Sequence, residues 1–205
     1  MHYNDNNTPP GPAGSESRFS SPDWMCPNVS HWNSTDDHST EIEVSEMLAG
    51  LVRGLQPEYV VETGSAWGQT SEAIGQALLK NRHGKVISLE VDNERVEYSK
   101  NRCKGLPVEC LQMSSMDFTP TEEIQFAFFD SLFPLRVPEF LRYHPYMKKG
   151  SIVAFHDTHP GHGGGQFKDY HMDLRTSIIT ELEQTGYLKS LYFQTPRGIM
   201  IAEVL

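Results

Sequence analysis

The apolar residues of the chain change their spacing in a regular order along residues 41–205. Short continuous apolar runs are typical of strands buried on both faces of a parallel sheet. They alternate with segments in which apolar residues recur every three or four positions, as on one face of a helix. The predicted strands are residues 59–62, 85–90, 108–112, 124–129, 150–155, 188–193 and 199–204. This alternation predicts an α/β fold with a mostly parallel sheet.

The segments between these strands predict helices. Thr40 and Glu43 have the spacing of a capping box, in which the two residues satisfy each other's free backbone amides, so a first helix should run from there to about Leu55. A proline-interrupted helix is expected around Phe140, and another over residues 174–182. Residues 194–198 separate the last two strands and predict a hairpin that ends the sheet antiparallel.

The first 40 residues lack this pattern. Residues 1–22 are rich in Asn, Pro, Gly and Ser, and such a composition cannot bury enough apolar surface to order itself. Apolar anchors from Trp24 to Trp32 predict a segment that docks against the domain. We therefore predict a flexible tail and docking segment over residues 1–40 and one domain over residues 41–205.

A glycine-bearing turn follows the first strand, with Glu62, Gly64 and Gly68 in an E-x-G-x-x-x-G pattern. Such a turn is expected to point free amides at a ligand above the strand end. The second glycine of a dinucleotide fingerprint would fall at Ala66, and no G-K-[ST] follows, so neither a regular NAD site nor a P-loop is indicated. Alone, the turn is equally compatible with a purely packing role.

Four predicted parallel strands each end at a carboxylate, namely Glu62, Glu90, Asp130 and Asp157. Because the carboxyl ends of parallel strands meet at one edge of a sheet, these side chains should surround one ligand. Glu90 lies 28 residues after Glu62, near the spacing at which an acid after the second strand binds ribose hydroxyls.

Composition narrows the class of protein further. The net charge of −10 argues against a nucleic-acid surface, which needs clustered Lys and Arg. No apolar run is long enough to span a membrane and the polar start lacks a signal peptide, so we predict a cytoplasmic protein. Cys26, Cys103 and Cys110 show no C-x-x-C spacing and are predicted to be reduced thiols. The sequence leaves both a monomer and a homo-oligomer open.

Over residues 41–205 the chain resembles class I S-adenosylmethionine (SAM)-dependent methyltransferases. The resemblance rests on residues 60–68, on Glu90, on residues 114–116, on Phe-Phe-Asp130 and on the terminal hairpin. It implies a doubly wound, Rossmann-like sheet of seven strands. It also implies that the methionine end of SAM lies over Gly64 and Ser65, that the ribose meets Glu90, and that the adenine stacks near Ser115 and Met116. The complete implied set of cofactor-binding residues is Glu62, Gly64, Ser65, Gly68, Glu90, Ser115, Met116 and Asp130.

The chain is more closely similar to small-molecule O-methyltransferases of the catechol, macrolide and cephamycin types. In these, an aspartate after the fourth strand and an acidic pair after the fifth hold Mg²⁺, which implies Asp130, His156 and Asp157 as metal ligands here. His156 replaces an acid of that pattern, which favours a divalent transition metal over Mg²⁺. The same three residues are the predicted catalytic groups, with His156 or His159 as general base if no metal is bound.

The resulting expectation is a SAM-dependent methyltransferase that acts on a hydroxyl of a small molecule, with divalent-metal assistance as an open question. Two alternatives stay open: an N-methyltransferase and a non-catalytic methyltransferase-like binding module. The sequence does not identify the acceptor.

Overall fold

In the computed structural model, the described residues are 17–18, 31–36, 38–159 and 173–205. They contain nine strands and five α-helices. The strands are β1 Ser17–Arg18, β2 Asn33–Ser34, β3 Tyr59–Thr63, β4 Lys85–Glu90, β5 Val108–Gln112, β6 Ile124–Phe129, β7 Met147–His156, β8 Leu188–Phe193 and β9 Ile199–Val204. The α-helices are α1 Ile42–Leu55, α2 Gln69–Asn81, α3 Asn93–Arg102, α4 Phe133–Tyr143 and α5 Leu174–Ser177.

The main sheet has seven strands in the order β5-β4-β3-β6-β7-β9-β8. Strands β3 to β7 are parallel to one another, whereas β9 pairs antiparallel with β7 and with β8. The predicted fold class, including the antiparallel hairpin at the end, is confirmed. A small separate sheet pairs β1 with β2.

Helices cover both faces of the sheet. Alternate residues of β3 face opposite layers: Val60 packs with α1 and α2, and Val61 packs with α4 and the segment after α5. Both valines are fully buried, as continuous apolar runs predict for a central parallel strand. No helix among the described residues is long and apolar enough to cross a membrane.

Helix α1 begins without the predicted capping box. Its N-cap residue is Glu41, which makes no side-chain cap. Glu43 accepts hydrogen bonds from the backbone and side chain of Asn33, while the Thr40 hydroxyl donates to Asp130 (3.0 Å). The capping-box prediction is therefore wrong, because partners distant in the sequence bind both residues.

The helix predicted over residues 174–182 has a less regular form. Only Leu174–Ser177 is α-helical, and Ile178–Glu183 continues it as a π-helical segment. Most of the predicted tail, the anchors Trp24 and Met25 and the loop after His159 lie outside the described residues. Trp32 is described and packs against the cluster of apolar residues formed with α1 and α2.

Candidate active site

The four strand-end carboxylates lie on adjacent strands. Glu62 is the penultimate residue of β3 and Glu90 the last residue of β4, while Asp130 and Asp157 directly follow β6 and β7. These strands are neighbours in the order β4-β3-β6-β7, and all are parallel. The structure thus brings the four acids to the same edge of the sheet, as the sequence pattern predicted.

The turn after β3 differs from the prediction in the use of its amides. The amides of Gly64 and Ser65 both donate to the Leu89 carbonyl (2.9 and 3.2 Å), and the Gly68 amide donates to the Ser65 carbonyl (2.8 Å). The amide of Ala66 donates to Glu90 Oε2 (2.9 Å). The expectation that these amides are free is wrong for all four, because three of them hold the turn against β4 and that of Gly68 closes the turn itself.

Backbone conformation explains the spacing of glycines in this turn. Gly64 has φ +74°, and a Cβ there would lie 2.5 Å from the carbonyl oxygen of Asp130. Gly68 has φ +75°, and a Cβ there would lie 2.7 Å from the Ser99 hydroxyl. Ala66 also has a positive φ, +44°, although it is not a glycine and this backbone region favours glycine. Gly64 and Gly68 therefore allow close packing of protein on protein.

Glu62 lies beneath the turn and is almost completely buried. Its Oε2 accepts hydrogen bonds from Ser71 and from Ser88 (2.7 Å). Burial raises the pKa of Glu62 to about 7, and the two serine hydrogen bonds only partly oppose that effect. Its carboxyl group can therefore change charge near neutral pH.

Glu90 and the loop after β5 were predicted to contact the ribose and the adenine. Glu90 Oε1 accepts from the amides of Val91 (2.8 Å) and Asp92 (3.0 Å), so its carboxylate is fixed at the end of β4. The hydroxyl of Ser115 donates to Glu139 and therefore points toward α4. Met116 is half-buried beside it.

A pocket opens above the turn. Including space open to solvent, it measures about 200 Å³. Its lining comes from the segment before α1, from the turn and from the end of β6: His38, Ser39, Thr40, Glu62, Gly64, Ser65, Ala66, Gln69, Thr70 and Asp130. The hydroxyl of Ser65 is buried here without a hydrogen-bond partner among the described residues. Since buried hydroxyls are normally satisfied, this atom is suited to a ligand.

Next to the pocket lies a cluster of six charged residues from five parts of the fold, all buried except Asp130, whose side chain is 10% exposed. We call it the charged cluster: the acids Glu41, Asp130 and Asp157 and the bases Arg136, His156 and Arg197. The backbone amide of Arg197 donates to Glu41 Oε1 (2.9 Å), and its Nη2 donates to the Ser39 carbonyl (2.6 Å). The cluster therefore joins the segment before α1 to the β8–β9 turn.

His156 is fully buried at the centre of this cluster. Its Nε2 lies 2.7 Å from Glu41 Oε2, and its Nδ1 lies 3.1 Å from Asp130 Oδ1. Burial alone would lower the pKa of His156, but the charges of Asp130, Asp157 and Glu41 outweigh burial and raise it to about 10. Burial likewise would raise the pKa of Glu41, yet the His156 charge and hydrogen bond lower it to about 2. The pair is a buried imidazolium and carboxylate.

Asp130, His156 and Asp157 were predicted as metal ligands, and one donor atom from each lies within 4.8 Å of the others. The arrangement around them does not suit a divalent ion, because Arg136 Nη2 donates both to Asp130 Oδ1 (3.0 Å) and to Asp157 Oδ2 (2.7 Å). Metal binding at these residues stays a prediction.

The sequence reasoning missed four buried charged residues of this region: Glu41, Arg136, Glu139 and Arg197. A usable signal existed for two of them. Arg136 falls three residues after Phe133 and four before Phe140, on the apolar face of α4, and Glu139 lies on the same buried side. A charged residue within an apolar helical stripe indicates a paired, buried charge.

Comparison with known proteins agrees with this geometry. Residues 61–158 match a family model described as a methyltransferase domain. No curated protein matches the chain at a significant level.

Among solved structures, the chain is similar to the O-methyltransferase TomG from Streptomyces achromogenes, described as involved in tomaymycin synthesis and in complex with SAM. The identity is 18%, 82% of each chain is covered and the TM-score is 0.64. An O-methyltransferase from Bacillus cereus in complex with S-adenosylhomocysteine (SAH) is 16% identical, with 83% of this chain and 84% of that chain covered and a TM-score of 0.65. SAH-bound methyltransferase PaMTH1 from Podospora anserina is 13% identical, with 89% and 85% covered and a TM-score of 0.69.

At these identities the similarity to solved structures shows the fold, which is the Rossmann-like methyltransferase fold. The methyltransferase domain model matches just under half of the chain and agrees with the resemblance to class I methyltransferases that the sequence predicted.

Proposed function

We propose that the protein transfers the methyl group of SAM to a hydroxyl of a small molecule. The observation that carries the proposal is the pocket above the turn, where the unpartnered Ser65 hydroxyl lies beside Glu62 and Asp130. We assign this pocket, whose volume of about 200 Å³ includes open solvent, to the methionine end of the cofactor from its lining residues.

The carboxylates of this edge suit the polar groups of SAM. Glu62 lies beneath the pocket, where a carboxylate favours the cofactor's ammonium group. Glu90 closes β4 with both oxygens on backbone amides, and each oxygen retains capacity to accept a ribose hydroxyl. Ser115 and Met116 remain the proposed adenine contacts, although the Ser115 hydroxyl is bound to Glu139.

Of the three residues predicted to be catalytic, Asp130 is the one that lines the pocket. Its Oδ2 accepts from Thr40, and its Oδ1 is held by Arg136. We assign Asp130 the role of orienting the acceptor hydroxyl and accepting its proton. SAM supplies an electrophilic methyl group: the acceptor oxygen forms a bond to that carbon as the carbon–sulfur bond breaks and leaves its electron pair on sulfur. His156 and Asp157 then act by holding Asp130 in place.

O-methylation is favoured over N-methylation because the structural neighbours named above include two O-methyltransferases. We also propose a cytoplasmic location, which the buried free thiols of Cys103 and Cys110 support. Nucleic-acid binding remains disfavoured by net charge alone. Oligomeric state stays open.

The proposal is tested by titrating SAH into the protein in a calorimeter and by following labelled methyl from SAM to a panel of hydroxylated and amine acceptors. Ser65→Ala should weaken SAH binding about tenfold, the worth of one hydrogen bond to a charged or polar ligand group. It should leave the thermal midpoint unchanged, since the Ser65 hydroxyl has no described protein partner.

The matched control is Ser190→Ala, which removes a hydroxyl on β8, a strand separated from β3 by three others in the sheet. It should leave SAH affinity unchanged. Absence of SAH binding by the wild-type protein would refute the proposal. Methyl transfer only to amines would redirect it to N-methylation, and binding without any transfer would support the non-catalytic module.

A further inference from the structure

The guanidinium of Arg136 occupies the space between the two aspartates of the predicted metal site. One nitrogen, Nη2, donates to Asp130 Oδ1 (3.0 Å) and to Asp157 Oδ2 (2.7 Å). A single cationic group thus bridges carboxylates from the ends of two adjacent strands, β6 and β7. A divalent ion bridging these two carboxylate oxygens would have to lie in the same place.

The other donors of Arg136 fix it there. Its Nε donates to the Ser131 carbonyl (2.8 Å), and its Nη1 donates to the His156 carbonyl. The Arg136 side chain is only 3% exposed and contacts the ring of Phe133 at 4.9 Å. Arg136 thus donates four hydrogen bonds and is buried on all sides. It therefore has a fixed position in the site.

Both nitrogens of His156 are also engaged. Nε2 faces Glu41 Oε2 at 2.7 Å, and Nδ1 faces Asp130 Oδ1 at 3.1 Å and Asp157 Oδ1 at 3.5 Å. A histidine binds a metal through an unshared electron pair on a nitrogen that is not hydrogen-bonded elsewhere. Here each ring nitrogen already has a carboxylate oxygen opposite it.

Permanent positive charges already face these carboxylates. Arg136 pairs with both Asp130 and Asp157, and the side chain of Arg197 is buried in the same cluster. Arginine stays charged in proteins. A divalent ion added beside the Arg136 guanidinium would place buried positive charges together without compensation, which is strongly unfavourable.

We propose that Arg136 stands where a divalent ion would otherwise bridge Asp130 and Asp157, and that the protein transfers methyl groups without a metal. The second part of the inference, methyl transfer without a metal, rests on the proposed function. Arg136 is then a positioning residue: it holds Asp130, which lines the pocket, through Asp130 Oδ1. The acceptor would need a single hydroxyl within reach of Asp130 and no second oxygen to chelate an ion.

The first test uses the wild-type protein. Elemental analysis after purification without chelator should find no stoichiometric metal, and SAH affinity should be the same with EDTA and with added Mg²⁺ or Mn²⁺. One metal ion per chain, or transfer abolished by EDTA and restored by Mg²⁺, would overturn the inference. Failure of the proposed function is distinguishable, because it would appear as no SAH binding under any of these conditions.

The second test compares Arg136→Ala with Arg142→Ala, an exposed arginine on the same helix. Arg136→Ala leaves two buried carboxylates facing each other, and its thermal midpoint should fall by roughly 10 °C. Titration with Mn²⁺ should raise the midpoint of Arg136→Ala by several degrees but leave the wild type and Arg142→Ala unchanged.

An equal response of the wild type to Mn²⁺ would overturn the inference, and so would no response of a folded Arg136→Ala. If Arg136→Ala does not fold, Arg136→Met removes the charge and the fork that bridges both aspartates but keeps most of the apolar volume of the side chain. It should show a smaller fall in midpoint and the same recovery with Mn²⁺, and no recovery would count against the inference.

Discussion

The buried carboxyl group of Glu62 should make the stability of the protein depend on pH in an unusual direction. Burial raises its pKa from 4.5 to about 7. The folded state therefore binds a proton more tightly than the unfolded state does. Stability from this group is fully present below pH 4.5 and is lost as the pH rises through 7, opposite to the usual behaviour of carboxylates.

The magnitude follows from the two pKa values. The rise from 4.5 to about 7 corresponds to about 3 kcal/mol, at about 1.4 kcal/mol for each pH unit. Integrating the linkage relation, about 2 kcal/mol of this falls between pH 5.5 and pH 8. Glu62→Gln removes the titration while keeping an oxygen that can accept from Ser71 and Ser88.

The assay is urea unfolding of the wild type and Glu62→Gln at several pH values from 5.5 to 8. The difference in free energy of unfolding, variant minus wild type, should rise by about 2 kcal/mol in favour of the variant over this range. Glu46→Gln, which changes an exposed carboxylate on α1, controls for the substitution itself. A difference that stays constant with pH would refute the reasoning.

Two further predictions concern the turn and the charged cluster. Gly64→Ala should lower the free energy of unfolding by several kcal/mol, whereas Gly105→Ala should lower it by only about 1 kcal/mol. Both glycines have a positive φ (+74° and +85°), but only at Gly64 would a Cβ lie against Asp130. Equal losses in urea unfolding would contradict the close-packing argument. Glu41→Gln should lower stability at pH 7 by about 3 kcal/mol, because it leaves His156 without one of its buried partners. The wild type should be more stable than Glu41→Gln above pH 4.5, and this difference in stability should shrink as the pH falls toward 2, the lowered pKa of Glu41. A difference that does not change in acid would show that the Glu41 charge is not responsible.

The part of the site that could be predicted is the part set by strand order. Val60 and Val61 place apolar side chains on opposite faces of the sheet. Carboxylates follow such apolar runs at Glu62, Glu90 and Asp130. Continuous apolar runs fix which segments are parallel strands, and parallel strands fix which ends meet. No knowledge of side-chain partners is needed for either step.

What could not be predicted depends on partners distant in the sequence. Glu41 binds His156, which lies 115 residues away, and Arg197, 156 residues away. Thr40 and Glu43 fit a local capping box, yet each binds a partner outside the helix. Local patterns state what a residue is able to do, and the tertiary fold decides which of its options is used.

The prediction that the amides of the turn are free was wrong for a related reason. Here β4 extends far enough for the Leu89 carbonyl to accept from Gly64 and Ser65, and the Glu90 side chain accepts from Ala66. These amides are therefore committed to protein partners, and the proposed ligand contact of the turn is the Ser65 side chain.

Helix α4 connects the two halves of the site. Arg136 and Glu139 lie on one buried side of it, with Arg136 bound to the ends of β6 and β7. Glu139 accepts from Thr63 at the end of β3 (3.0 Å) and from Ser115 after β5. One helical turn thus contacts the ends of β3, β6 and β7 and the loop after β5. If the proposed function is right, α4 positions Asp130, the proposed acceptor contact, relative to Ser115, the proposed adenine contact, without the help of a bound ion.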